Sequence, residues 1–148
     1  MSIYLSLKSE VDTWLLLKRI LADKKQCFIP RYKNGTRQME MIQLDSLEEY
    51  ERLPQTNWKI KQHPDDSPKR DAAETGGLDL ILLPGFAFGA DGARLGKGGG
   101  FYDAFLHRLQ QAGNPMPRLI GLAFKEQLRD DIPMTETDFR VDEVVTSD

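Results

Sequence analysis

Several residue types are scarce in this chain, and each scarcity excludes something. There is a single cysteine, Cys27, among 148 residues. No internal disulfide can form, which fits a reducing compartment. Cys27 lies in the apolar run Cys27-Phe28-Ile29 and is expected to be an inert buried thiol. No apolar run reaches the roughly 18 residues of a membrane helix, and no basic start leads into a cleavage site. A soluble, cytoplasmic chain is expected. There are only two histidines, His63 and His107, and neither has a cysteine or a second histidine at metal spacing. Both are expected on the solvated surface. No serine stands in a G-x-S-x-G elbow, so a hydrolase triad has no anchor. Cationic excess is missing too: the net charge is −3 and the isoelectric point about 5.4, so nothing global argues for nucleic acid. There is no internal repeat and no low-complexity tract. The length predicts one domain, residues 1–148.

What the chain does contain is alternation of strand and helix patterns. Residues 2–6 read as a strand. Ser9-Glu10-Val11-Asp12 has capping-box spacing, with Val11, Trp14, Leu15, Leu17 and Leu21 as the buried side of a helix and Leu16 widening it. Cys27-Phe28-Ile29 reads as a strand stopped by Pro30, completing a βαβ unit. Arg31 to Gly35 forms a turn with a basic lip. Met39 to Leu44 is a further strand with Met39 and Met41 inward, and Ser46 to Glu49 opens a short helix. Residues 54–77 are irregular, with Trp58 either a packing anchor or a ligand-facing ring. Leu78 to Leu83, apolar but for Asp79, suits the buried centre of a parallel sheet. A helix after residue 100, a strand over 118–124 and a last strand over 141–145 follow. The order predicts an α/β fold: a three-layer α/β/α sandwich with a mostly parallel central sheet.

Between the central strand and the following helix lies a glycine-dense stretch, with seven glycines in the sixteen positions from Gly85 to Gly100. Arg94 and Lys97 sit within it. Strand, glycine-rich basic loop and helix make a phosphate cradle: glycines let backbone N–H groups approach an anion, and the helix N-terminus adds its dipole. Two common templates fail. A dinucleotide fingerprint built on Gly96 and Gly98 needs glycine where Phe101 stands, and one built on Gly98 and Gly100 needs it at Asp103. A Walker A loop needs glycine at Asp91 and Ser or Thr at Gly98. Asp103, in the first turn of the helix, either shares a Mg²⁺ with a bound phosphate or simply favours the helix N-terminus. Glu10 and Asp138 are expected at the same edge of the sheet, where ligands of open α/β folds bind.

The stretch Pro84-Gly85-Phe86-Ala87-Phe88, followed by Gly92-Ala93-Arg94-Leu95-Gly96-Lys97-Gly98-Gly99-Gly100-Phe101-Tyr102-Asp103, resembles the signature of the 5-formyltetrahydrofolate cyclo-ligases, or methenyltetrahydrofolate synthetases. The segments IYLSLKSEVDT, CFIPRY, TGGLDLILLPG, LAFKEQ and VDEVV are similar to that family as well, so the resemblance runs along nearly the whole chain.

The resemblance implies a reaction. ATP phosphorylates the formyl oxygen of 5-formyltetrahydrofolate in the presence of Mg²⁺. Folate N10 then attacks the activated imidate, giving 5,10-methenyltetrahydrofolate, ADP and phosphate. It further implies that Arg94, Tyr102, Gly96 and Gly98 contact ATP. Leu5, Glu10, Tyr4, Trp58, Lys97, Gly98, Gly99, Gly100 and Phe101 would contact the folate, which is possibly polyglutamylated. Asp103 and Asp138 would hold Mg²⁺. A cytoplasmic monomer without nucleic-acid or membrane partners is implied. Lys97 stands where the family commonly has arginine, and Phe101 where its first tyrosine usually stands. Family members begin with a helical segment whose Lys and Arg side chains hold ATP phosphates, whereas this chain opens on the strand. An N-terminally shortened domain is therefore implied, with an impaired form that binds folate or a partner protein without turnover as the alternative.

Overall fold

The computed structural model describes every residue except Asn34, Gly98, Thr137 and Asp148. Its centre is the chain's own beginning. Ser2 forms bridges on both sides, to Phe28 and to Ile81, and both are parallel. Ser2 N–H donates to Leu80 O at 2.9 Å and Ile3 N–H to Phe28 O at 3.0 Å. The segment parts from its neighbour after Ile3. The next rung would need an N–H from residue 30, and proline has none. Regular pairing is thus shorter than the strand expected over 2–6, although Ser2, Ile3 and Tyr4 are all buried.

Around this segment the sheet is assembled from β1 (Cys27–Tyr32), β2 (Met39–Leu44), β3 (Leu80–Leu83), β6 (Arg118–Ala123) and β7 (Glu143–Thr146). β3 pairs with β6 and β6 with β7, both parallel, while β2 pairs antiparallel with β1. The order across the sheet is β2, β1, the opening segment, β3, β6, β7. β1 runs through Pro30, opposite Met41, rather than stopping there. Successive strand residues point to opposite faces. Phe28, Ile81, Leu83 and Leu119 enter one core with Phe105, Leu106 and Leu109 of α3 (Phe101–Gln111). Ile3, Cys27, Ile29 and Leu82 enter the other with Leu17 and Ile20 of α1 (Trp14–Ala22). Helices on both faces of a mostly parallel sheet make the α/β/α sandwich. Cys27 is fully buried, and that burial pushes its thiol up to about 11.

The first helix differs from its expected form. Residues 7–10 make a turn instead of a helical start: Glu10 N–H donates to Leu7 O, and Leu7 N–H to Glu10 Oε1 at 2.7 Å. α1 begins at Trp14, whose N–H donates to Asp12 Oδ1 at 2.9 Å. Thr13 Oγ1 donates to Tyr4 O at 2.7 Å, fixing the rotation of the helix. That rotation sends Leu17 and Ile20 inward and leaves Leu15 77% exposed, with Trp14 and Leu16 also outward. The Ser46 cap forms as expected at α2 (Leu47–Arg52), with Ser46 Oγ accepting from Glu49 N–H.

His63 is not a surface residue: it is 3% exposed, and its Nε2 lies 2.9 Å from Glu49 Oε1. Glu49 in turn receives Lys69 Nζ at 2.8 Å. His107 is also not fully solvated, since its ring packs on Phe139 at 4.7 Å. Burial, outweighing Glu49, holds the His63 pKa below its ordinary value. For Glu49 burial pushes upward, but Lys69 and His63 prevail and lower it. As pH falls below about 6.5 the unfolded chain takes up the imidazole proton first, so stability drops. Glu49 extends that loss to lower pH. Chemical denaturation is expected to show lower stability at about pH 5.5 than at about pH 7.5, with a smaller difference in His63→Gln.

The stretch after β3 is not one long loop. It folds into a hairpin of β4 (Ala87–Phe88) and β5 (Arg94–Leu95), and among the described residues Gly96, Lys97, Gly99 and Gly100 lead irregularly into α3. Phe88 is fully buried and anchors the hairpin on the sheet, with its ring against Gly121 of β6 and Gly85. A Cβ at Gly121 would overlap the Phe88 ring. A glycine inside a strand often marks such an approach. Gly121→Ala is expected to cost about 1–3 kcal/mol in denaturant melts through overpacking.

Candidate active site

Parallel strands deliver their following loops to a common edge of the sheet. Here the opening segment leads into residues 5–12, β3 into the hairpin and glycine loop, and β6 into residues 124–129. At that edge Arg94 is held from two sides. Its Nε donates to Pro84 O at 2.8 Å, and its guanidinium lies 5.1 Å from the Tyr102 ring centroid. Burial works against its charge, while Tyr102, Asp103, Tyr32 and Glu10 favour it. Tyr102 comes from the first turn of α3 and is buried, and its hydroxyl finds no hydrogen-bond partner of good geometry among the described residues. Burial, reinforced by Tyr32, pushes that phenol well above its ordinary value. Tyr32 sets its ring edge-on to Phe101 at 5.0 Å, and burial raises its phenol to about 12. An enclosed hydroxyl whose contact with Tyr32 lacks good hydrogen-bond geometry is a costly feature that a ligand oxygen would relieve.

Glu10 reaches the same place from the other side. The turn at residues 7–10 points its carboxylate inward, where it is 8% exposed and pairs with Lys97 of the glycine loop at 3.2 Å. The pair joins the glycine loop to an open pocket of about 400 Å³ whose lining includes Leu5, Glu10, Thr13, Trp14, Tyr50 and Ile60. A larger hollow of about 740 Å³, beside β7, contains none of the sequence-predicted residues.

Asp103 Oδ1 accepts from Phe139 N–H at 3.1 Å, which brings the residue next to Asp138 against the start of α3. Asp138 Oδ2 accepts from Thr135 N–H at 3.0 Å. Among the described residues no three His, Cys, Asp or Glu side chains are grouped for a metal. Gly96 passes close to Arg94: a Cβ there would sit 3.2 Å from Nη1. Gly99 packs on Phe101 in the same way. Gly100, at φ +66°, is the N-cap of α3 and offers no side chain to its free N–H groups. Gly98 lies outside the described residues.

Two predicted residues stand apart. Tyr4 is 2% exposed with its hydroxyl donating to Val11 O at 3.1 Å, so Leu5 rather than Tyr4 faces the pocket. Trp58 is 81% exposed and lies outside the pocket lining. Sequence reasoning missed Tyr32, although it ends the CFIPRY segment. It also missed the second wall of the pocket, supplied by Tyr50, Gln55, Lys59, Ile60 and Lys61, because an irregular polar stretch carries no periodic signal. No helix among the described residues is long and apolar enough to cross a membrane.

Residues 1–147 match the model of the 5-formyltetrahydrofolate cyclo-ligase family. The chain is similar to 5-formyltetrahydrofolate cyclo-ligase of Mus musculus, with 46% identity over 147 residues, covering 99% of this chain and 72% of the mouse protein. A probable 5-formyltetrahydrofolate cyclo-ligase of Caenorhabditis elegans is 38% identical, with 98% and 71% covered. The fold is similar to the NMR structure of Aquifex aeolicus 5,10-methenyltetrahydrofolate synthetase, with a TM-score of 0.72 and 27% identity. That superposition covers 98% of this chain and 66% of the other. Motif, fold and sequence agree along the matched residues: the chain belongs to the 5-formyltetrahydrofolate cyclo-ligase family of enzymes.

Proposed function

We propose that this chain catalyses the ATP- and Mg²⁺-dependent conversion of 5-formyltetrahydrofolate to 5,10-methenyltetrahydrofolate, releasing ADP and phosphate. The observation that carries this reading is the Lys97–Glu10 pair. It joins the pocket behind Leu5 to the glycine loop, beyond which Arg94, Tyr102 and Asp103 cluster at the start of α3. In this arrangement the folate occupies the pocket and the ATP polyphosphate the glycine-rich side. The formyl oxygen forms a bond to the γ-phosphorus as the bond to ADP breaks. N10 then attacks the imidate carbon, the N10 proton passes to solvent, and the carbon–oxygen bond breaks as phosphate departs.

The protein's part is positioning and charge. Arg94, pre-set by Pro84 O and the Tyr102 ring, meets phosphate oxygens without reorganising. Tyr102 hydroxyl takes a ligand oxygen as its missing partner. The uncapped N–H groups at the start of α3 add the helix dipole. Glu10 presents an acceptor to the amino and ring N–H groups of the pterin, and Lys97 leaves Glu10 to face the transferring group. Gly96, Gly99 and Gly100 let the loop backbone approach the ligand.

Mg²⁺ fits these residues. Asp103 and Asp138 are each oriented by a backbone N–H, and a site of one or two carboxylates completed by phosphate and water suits this ion. When bound, Mg²⁺ supplies neutralisation of phosphate charge. The enzyme works as a cytoplasmic monomer in this reading.

The test is turnover of 5-formyltetrahydrofolate with ATP and Mg²⁺, followed by the absorbance of the methenyl product. Product formation that needs all three components is expected. Folate binding without turnover would instead leave a binding-only short form.

A further inference from the structure

The turn joining β1 to β2 brings one more cation to the glycine loop. Thr36 shapes that turn. Its N–H and its hydroxyl both donate to Lys33 O, at 3.3 and 3.0 Å, and its Oγ1 accepts from Gln38 N–H at 3.1 Å. Gly35, at φ +73°, helps the chain reverse. Arg37 extends from this turn to the start of α3. Its Nη1 lies 3.9 Å from the point where a Cβ on Gly100 would stand. Apart from the neighbours of Gly100 in the chain, no other described residue comes within 4 Å of that point. Arg37 is exposed, and its guanidinium has no hydrogen-bond or ion-pair partner among the described residues.

On its own this placement is unfavourable. Gly100 is the N-cap of α3, and the first-turn N–H groups have no side-chain cap. A cation there meets the positive end of the helix dipole, where anions are favoured. The carboxylates of the hairpin and the loop are engaged elsewhere. Glu40 holds Arg31 at 3.2 Å and Lys33 at 3.6 Å, Glu10 holds Lys97 at 3.2 Å, and Asp103 accepts from Phe139 N–H at 3.1 Å. In the same helical turn the buried Tyr102 hydroxyl has no hydrogen-bond partner of good geometry among the described residues. A free guanidinium, uncapped N–H groups and an unsatisfied hydroxyl thus meet at the start of one helix. A bound anion satisfies all three.

We infer that Arg37 contacts the terminal phosphate of ATP and is a further substrate-binding residue of the reaction. This rests on the ATP reading of the glycine-rich side. The position of the hairpin selects the terminal phosphate over the other two. Tyr32, on the same hairpin, sets its ring edge-on to Phe101, and Lys97 of the loop pairs with Glu10 of the pocket. The hairpin therefore covers the loop beside the pocket, and the phosphate next to the folate is the terminal one. A planar guanidinium can span two of its oxygens. Arg94 reaches the loop from the β4–β5 hairpin, so the two arginines close on the phosphate from different elements. Arg37 moves no proton in the transfer; it neutralises charge on the phosphate oxygens.

The experiment measures equilibrium binding of ATP and ADP to the full chain with Mg²⁺, then turnover of 5-formyltetrahydrofolate as ATP is varied. Arg37→Met is expected to weaken ATP binding about five- to twentyfold and ADP binding less than about twofold. It should raise KM for ATP and leave KM for the folate unchanged. Arg37→Lys should recover part of the ATP binding, because it keeps the charge and loses the fork. Lys33→Met removes a cation of the same hairpin that Glu40 already holds, and is expected to change ATP binding less than about twofold. That control separates contact by Arg37 from the charge or shape of the hairpin. Unchanged ATP binding in Arg37→Met, equal weakening of ATP and ADP, or an equal effect in Lys33→Met overturns the assignment of Arg37 alone. Failure of the unaltered chain to bind ATP overturns the ATP reading itself, before any variant is compared.

Discussion

Arg94→Met is expected to lower kcat/KM for 5-formyltetrahydrofolate by about a hundred- to a thousandfold, read from the rate of methenyl product formation. The guanidinium is half-buried, lies over the Tyr102 ring and is tied to Pro84 O, so its charge is aimed before the ligand arrives. Methionine keeps much of the apolar stem but removes the charge and its donors. Arg94→Lys is not a mild change at this position. An ammonium cannot both hold Pro84 O and offer a planar fork to phosphate, so it should recover little of the loss. Part of any effect could come from a loosened hairpin, because the Pro84 bond also closes β4 and β5 onto the sheet. Thermal melts separate the two. A shift of a few degrees alongside a hundredfold rate loss assigns the residue to the reaction, whereas unchanged kcat/KM removes Arg94 from the phosphate site.

Asp103→Asn is expected to reduce turnover by at least about a hundredfold at saturating ATP and Mg²⁺, with little change in melting temperature. An asparagine oxygen still accepts the Phe139 N–H, so the tie between α3 and residues 138–139 survives. What disappears is the negative charge beside the phosphates, together with the hard anionic oxygen that Mg²⁺ favours. Raising Mg²⁺ should recover part of the rate if the aspartate acts through the ion. Unchanged activity would reduce Asp103 to an acidic residue favouring a helix N-terminus. The two readings open at the level of the sequence are thus separated by one atom.

Much of this site was legible in the order of residues. The pattern from Arg94 to Asp103 is local: a strand, a run of glycines and a helix start bring their chemistry together within ten positions, whatever the rest of the chain does. Glu10 was legible for a different reason. It follows the opening strand by a few residues, and parallel strands send their loops to one edge. His63 was misjudged because a lone histidine in a polar stretch reads as solvated. Its burial depends on Glu49 and Lys69, which lie 14 residues before it and 6 after it and meet it only in three dimensions. Leu15 and Leu16 were misjudged because hydrophobic spacing gives the shape of a stripe but not its phase. Thr13, bonded to Tyr4 O, sets the phase.

The sequence by itself determined the family, through motif residues that resemble it, and the sandwich of strands and helices, through spacing along the chain; it also gave the identity of the charged groups in the glycine loop. Tertiary structure alone decided the rest. It seated Phe88 against Gly121, folding the expected loop into a hairpin that presents Arg94. It paired Glu10 with Lys97, and it built the second pocket wall from Tyr50, Gln55, Lys59, Ile60 and Lys61. These contacts join residues tens of positions apart. Their energy comes from excluded volume, buried hydrogen bonds and charge at short range, none of which is a property of neighbouring residues in the chain.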